Sequence, residues 1–264
     1  MKIRRLWVVS LALIVLSVTA CGGDDENTSP AGGKRSGAPL VVSAAASLKQ
    51  AFTEYGNQFS GATAKFSFAG SDALAAQIEQ GVKPDVYAAA NTKLPEQLFE
   101  KGLVEKPVVF AGNRLVLAVP ASESKVTSLD DLSKGDRTSL AIGSKDVPIG
   151  SYTRTILAKL PARQRDAILK GVVTEEPDVA GIVGKLTEGA VDAGFLYLSD
   201  VRGTAGRLKA IELPEDLQPQ VAYGVAIVKG AKHPTEAKAF IDGLLKGAGA
   251  DALKRAGFEP PPTQ

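Results

Sequence analysis

The sequence predicts an α/β fold of two lobes, in which two parallel or mixed sheets flanked by helices are joined by a double-strand hinge. Two observations predict it. From Leu40 onward, short apolar runs alternate with amphipathic stretches over short connections, the pattern of a sheet covered by helices on both faces. Two long strand-like runs, 114–120 (RLVLAVP) and 220–228 (QVAYGVAIV), then bracket about a hundred residues that carry an α/β pattern of their own. One α/β lobe inserted into another through two crossing strands leaves a cleft between them, an arrangement that closes around ligands.

The elements follow in order. Residues 40–42 form a short apolar strand, and Leu48, Ala51, Phe52, Tyr55 and Phe59 recur at helical spacing. Ser47 stands at the head of that helix, where a side-chain oxygen can cap backbone N–H groups. Ala64, Phe66 and Phe68 alternate as in a strand. Gly70-Ser71-Asp72 leads into a helix ended by Gly81. Residues 85–90 make a third strand, and Pro95 and Gly102 suit the two ends of the next helix. After the first long strand come a short helix at 128–132 and a strand at 140–143. Pro148-Ile149-Gly150-Ser151 opens a helix, 172–174 is a strand, and Asp178-Val179 opens a helix that ends near Gly189. Strands at 193–198, 208–211 and 220–228 follow, then a helix from Pro234 and a last one to about Ala256. The expected lobes are 39–118 with 225–264, and 119–224.

The N-terminal region has a different plan. Lys2, Arg4 and Arg5 precede a run, 6–18, that is apolar except for Ser10 and Ser17, and small residues follow to Ala20. This is the plan of a signal peptide over 1–20; the run is short of the roughly 20 residues of a comfortable membrane span. Val18-Thr19-Ala20-Cys21-Gly22 resembles the lipobox of bacterial lipoproteins, whose signal is cut before a Cys that carries a diacylglyceryl group. Cys21 is the only Cys of the chain. Residues 22–38 (GGDDENTSPAGGKRSGA) hold no large apolar side chain and read as a flexible tether with ends about 20–25 Å apart. Loss of 1–20 removes three positive and no negative charges, taking the net charge from +2 to −1.

Composition excludes several classes. Lys plus Arg is 31 against 29 for Asp plus Glu, so there is no basic excess of the kind that nucleic acid requires. With 44% apolar and 23% charged residues the chain is globular rather than disordered. One Cys and one His leave no material for an internal disulfide or the usual zinc site. His233, expected on the surface beside Pro234, would have to stand at the centre of any Ser-His-Asp triad. There is no GxSxG, HExxH or GxxxxGK[ST], and the acids are scattered. The expectation is a binding protein, not an enzyme, without cofactor or metal cation.

The helix starts carry the chemistry instead. Ser47, Ser71, Ile149-Gly150-Ser151 and Asp178-Val179 lie at predicted helix N-termini that follow strands, where free N–H groups and the helix dipole favour anions. A capping Ser is most often only a cap. Two such starts from each lobe facing one cleft, however, would hold an oxyanion with neutral donors.

These segments also carry a resemblance. Ala44-Ala45-Ala46-Ser47-Leu48, Phe68-Ala69-Gly70-Ser71-Asp72-Ala73-Leu74 with Gln77-Ile78-Glu79, Val147-Pro148-Ile149-Gly150, Asp178-Val179 and 194–200 (GFLYLSD) together resemble the periplasmic molybdate-binding proteins, the substrate-binding subunits of molybdate ABC transporters. The resemblance covers about residues 39–259. It implies the type II periplasmic-binding-protein fold and an interlobe site for molybdate. Ser47 and Ser71 would each give hydroxyl and backbone N–H, Ile149 and Val179 a backbone N–H, and Tyr197 its hydroxyl. Read alone, Tyr197 is a core aromatic; the matched segment makes it a ligand-facing residue. Gly70 and Asp72 flank Ser71 where the family often has Ser or Thr, which bears on selectivity among molybdate, tungstate, sulfate and phosphate. The implied partners are the ABC permease and its ATPase, for a monomer held outside the cytoplasm by a lipid on Cys21.

Overall fold

The computed structural model describes residues 39–122, 124–134 and 138–262. The signal peptide, Cys21 and the tether to residue 38 lie outside the described residues. No helix among the described residues is long and apolar enough to cross a membrane.

The chain begins with β1 (Leu40–Ala45), a 3-10 turn at Ala46–Leu48, α1 (Lys49–Gln58), β2 (Ala64–Ala69), α2 (Ser71–Glu79), β3 (Val86–Ala89), α3 (Lys93–Glu100) and β4 (Val108–Asn113). A second set follows: β5 (Leu115–Pro120), α4 (Asp131–Lys134), β6 (Leu140–Gly143), α5 (Pro148–Lys159), α6 (Ala162–Lys170), β7 (Val172–Glu176), α7 (Val179–Thr187), β8 (Ala193–Tyr197), α8 (Leu198–Arg202) and β9 (Leu208–Glu212). The chain returns through β10 (Val221–Ile227) to α9 (Pro234–Leu245) and α10 (Ala248–Arg255).

Two five-stranded sheets result, ordered β2-β1-β3-β10-β4 and β7-β6-β8-β5-β9. In each, four strands run one way and one runs against them: β10 pairs antiparallel with β3 and β4, and β5 with β8 and β9. The parallel strands place their C-terminal ends, and the helices that start there, on one edge of each sheet. That is where ligands bind in open α/β sheets.

The sheets exchange strands where the elements end. Arg114 alone separates β4 of the first sheet from β5 of the second, and the return lies between Glu212 and Val221. Sequence pattern puts these crossings inside long strands, after residues 118 and 224. In the structure 115–120 belongs wholly to the second sheet and 221–227 wholly to the first, because each run pairs along its length with strands of one sheet. The two crossings are tied together: Arg114 bonds Glu215 at 2.8 Å, and the Gln218 side chain donates to the Leu115 carbonyl at 3.0 Å.

Strand β4 is not evident in the sequence because its inner half, Phe110-Ala111-Gly112-Asn113, includes turn-forming residues. Those four are nonetheless buried against β10. The apolar core fills both lobes. In the first, Phe52 packs on Phe240 at 5.6 Å with Phe66 and Phe110 around it, the edge-to-face geometry that ring quadrupoles favour.

Candidate functional site

All five residues expected to bind ligand, Ser47, Ser71, Ile149, Val179 and Tyr197, line one cavity between the lobes. The cavity measures about 20 Å³. On the scale in which one water needs about 10–15 Å³, this is the space of a small ligand. The first lobe contributes Ala45-Ala46-Ser47, Ala69-Gly70-Ser71 and Ala90. The second contributes Val147-Pro148-Ile149, Asp178-Val179 and Tyr197. Small residues dominate the first lobe's share, which lets backbone rather than side chain face the ligand space. No Lys, Arg or His lines the cavity.

Helix starts aim N–H groups into it, since the first turn of a helix has no intrahelical acceptor for them. Ser71 is the first residue of α2 and Val179 the first of α7, and Ile149 follows Pro148 at the start of α5. Pro148 has no N–H to waste at that position and its φ suits the helix. Asp178 caps α7, its Oδ1 accepting the Gly181 N–H at 3.1 Å. That leaves the Val179 N–H to the cavity.

Glycines permit the close approaches. A Cβ at Gly70 would stand 2.7 Å from the Pro177 carbonyl oxygen, so glycine allows α2 of one lobe to meet the loop before α7 of the other. A Cβ at Gly143 would stand 2.6 Å from the Gly150 nitrogen, where α5 folds back on the end of β6.

The two serines do not cap their helices. Ser47 lies within the 3-10 turn and makes no capping bond; its Oγ instead pairs with the Tyr223 hydroxyl at 3.0 Å. Gly70, not Ser71, is the N-cap of α2. The Ser71 Oγ accepts the Ala90 N–H at 3.1 Å, and its carbonyl accepts the Tyr87 hydroxyl at 2.7 Å. The reason is geometric: each serine is wedged against a neighbouring strand of the sheet, whose groups reach the side chain before its own helix does. With the Ser71 oxygen already accepting, its hydroxyl proton is free to point into the cavity.

Asp72 does not line the cavity. Its Oδ1 is buried without a hydrogen-bond partner at the first turn of α2. Burial raises its pKa, and Asp146 and Asp178 raise it further.

Tyr197 is 1% exposed, and its hydroxyl oxygen is buried without a hydrogen-bond partner. Leaving such a group unsatisfied costs about 1–3 kcal/mol, so the position is one that a ligand acceptor relieves. Its ring stands edge-on to Tyr223 at 5.8 Å and Tyr152 at 6.4 Å. Burial pushes its pKa well above 10, which keeps the phenol a donor. Behind it the Asp200 carboxylate is pushed up to about 8 by burial, against the lowering effect of the Tyr197 N–H it accepts.

Sequence reasoning does not find Tyr223, Asn113 or Asp200, which support the lining residues from behind. His233 is half-buried rather than exposed, at the N-cap of α9, with its backbone N–H held by Asp85 at 2.9 Å. It is not among the residues that line the cavity. Among the described residues no cluster of three or more His, Cys, Asp or Glu has the arrangement of a metal site.

Two lobes, two crossings and a small interlobe cavity lined by helix starts and hydroxyl groups define a solute-binding protein. The chain belongs to the family of bacterial extracellular solute-binding proteins, whose model matches residues 40–259. It is 33% identical over 256 residues, 95% of each chain, to Molybdate-binding protein ModA of Mycobacterium tuberculosis. Among solved structures it is similar to the substrate-binding domain of a putative molybdenum ABC transporter from Clostridium difficile, at 27% identity and TM-score 0.65 over 84% of this chain and 98% of that one. The periplasmic molybdate-binding protein of Azotobacter vinelandii shares the fold, at 20% identity and TM-score 0.75 over 84% of this chain and all of that one. The resemblance read from the sequence therefore holds over nearly the whole chain, and the protein is an extracytoplasmic binding protein rather than an enzyme.

Proposed function

We propose that this protein binds molybdate in the interlobe cavity and delivers it to an ABC permease driven by its ATPase. The observation that carries the reading is the donor set: two serines and an unpartnered buried tyrosine hydroxyl, with three helix starts, around a space for one small ligand. The names of the relatives support it. Ser47 and Ser71 act through hydroxyl and N–H, Ile149 and Val179 through N–H, and Tyr197 through its hydroxyl. About seven donors at roughly 1.5–3 kcal/mol each suffice for tight binding after the costs of association.

A fully ionised oxyanion offers acceptors only, which suits such a shell. Protonated phosphate brings a donor that the shell leaves unpaired, at about 1–3 kcal/mol. Sulfate carries the same charge as molybdate and is smaller, so its exclusion is a matter of cavity fit. Tungstate is nearly the size of molybdate and competes with it. The protein works as a monomer outside the cytoplasm, tethered to the membrane by lipid on Cys21. Two acyl chains give stable anchoring at about 0.8 kcal/mol per buried CH₂.

Calorimetric titration of the detergent-purified full chain with molybdate, tungstate, sulfate and phosphate tests this reading. One molybdate per chain with sulfate and phosphate much weaker supports it. Tighter sulfate or phosphate binding, or no binding of any of the four, overturns it.

A further inference from the structure

Ser47 is useful to an anion only if its proton points at the cavity, and the 3.0 Å pair it makes with Tyr223 permits either direction. A serine that donates to the tyrosine would turn its lone pairs, not its proton, toward the ligand. The surroundings of Tyr223 decide between the two.

Asn113 ends β4 at the first crossing and is 4% exposed. Its Oδ1 accepts the Arg114 N–H at 2.9 Å, which fixes which end of the amide is oxygen and which is nitrogen. Its Nδ2 donates to the Ser199 Oγ at 2.9 Å, a bond from the end of the first sheet to α8 of the second lobe. The Tyr223 hydroxyl is buried, with the Ser47 Oγ as its hydrogen-bond partner. If Ser47 donated, the buried phenol proton would be left without that acceptor; if Tyr223 donates, the Ser47 proton is left for a ligand. The Tyr223 proton therefore goes to Ser47.

We propose that Tyr223 is a positioning residue for the binding site: its hydroxyl donates to the Ser47 Oγ and so turns the Ser47 proton into the cavity. The proposal rests on the reading of Ser47 as an anion donor. The tyrosine stays protonated throughout, because burial pushes its pKa well above 10. The fully buried position of Tyr223 on β10 has an ordinary packing explanation for its ring, in contact with Phe110 and Phe258, but not for its hydroxyl.

A double-mutant cycle tests it, with molybdate affinity measured by calorimetry on the wild-type full chain, Tyr223→Phe, Ser47→Ala and the double variant. The expected result is a loss of roughly 3- to 10-fold for Tyr223→Phe in the wild-type background and none in the Ser47→Ala background. The same loss in both backgrounds assigns Tyr223 to packing alone and overturns the proposal, as does wild-type affinity in Tyr223→Phe. If Tyr223→Phe fails to fold, Tyr223→Met, which lacks the donor and adapts to the space the ring leaves, takes its place, and its loss should likewise vanish with Ser47→Ala. Wild-type affinity in Ser47→Ala removes Ser47 from the site and overturns the proposal with it, while the other four donors remain. A wild-type chain that binds no molybdate overturns the functional reading itself.

Discussion

The Asp200 carboxylate accepts the backbone N–H of Tyr197 at 3.2 Å, three residues ahead of it. The bond joins the last residue of β8, whose hydroxyl faces the cavity, to the first turn of α8. It also places an acid whose pKa burial pushes up to about 8 behind the cavity lining. Burial is the main cause of that raised value, and the charge of Asp178 adds to it. Near neutral pH the group is mostly protonated and adds little negative charge near the ligand.

Anion affinity is therefore expected to fall as pH rises through about 8, when Asp200 ionises behind Tyr197. A loss on the order of tenfold between pH 7 and 9, about 1.4 kcal/mol, is in scale for a charge within the protein's effective dielectric. Asp200→Asn keeps the acceptor for the Tyr197 N–H and should flatten this profile. Stability has the same sign. The folded pKa lies above the ordinary 3.8, so the contribution is full below about pH 4 and is lost as pH rises through about 8. Calorimetric titrations at several pH values check the first effect and thermal unfolding the second; a profile unchanged by the substitution contradicts the assignment.

Ser47→Ala and Ser71→Ala each remove one hydroxyl donor and leave the backbone N–H in place. Each should weaken molybdate binding by about 1.5–3 kcal/mol, roughly 10- to 150-fold. For Ser71→Ala, the Ala90 N–H also loses its acceptor, so this variant should lose some ligand-free stability as well. Affinities and melting temperatures measured side by side separate the two effects. Wild-type affinity in both variants would remove these residues from the site.

Tyr197→Phe removes a hydroxyl that has no partner within the protein, so its ligand-free stability should hold or rise slightly while molybdate binding weakens by about 1–3 kcal/mol. The only Trp, Trp7, lies in the leader expected to be cleaved, so near-ultraviolet fluorescence of the mature chain reports its five tyrosines. Molybdate should change that signal with saturation at one ligand per chain, and the change should shrink in the variant. Normal binding together with much easier unfolding would make Tyr197 a packing residue only.

Cys21→Ser should prevent lipid attachment and move the protein from the membrane fraction to the soluble fraction of expressing cells. Fractionation with immunoblotting reads this directly. Retention of the variant in the membrane fraction, released only by detergent, would rule out the lipobox reading.

Much of the cavity lining was legible because its residues sit on local patterns. Pro148 and Asp178 mark helix starts by chemistry that acts within one turn, and the small residues before Ser47 and Ser71 mark strand ends where backbone is bare. What a serine does with its side chain was not legible. Ser47 looks like a cap but bonds Tyr223, 176 positions away, and Ser71 looks like a cap but bonds Ala90, just past the end of β3. Tyr223 reads as one more core aromatic in an apolar strand, and Asn113 as a turn residue; only the pairing of β4 with β10 brings them together. The crossings were misplaced for a related reason. A continuous apolar run marks a buried strand but does not say which sheet the strand joins.

Crystals grown with molybdate and measured at the molybdenum absorption edge test the central claim most directly. The account predicts one anomalous peak per chain, between Ser47 and Ser71 on one side and Ile149, Val179 and Tyr197 on the other, with the Tyr197 hydroxyl in hydrogen-bonding contact with a ligand oxygen. A peak outside this cavity, or none at molybdate concentrations that saturate the calorimetric titration, would contradict it.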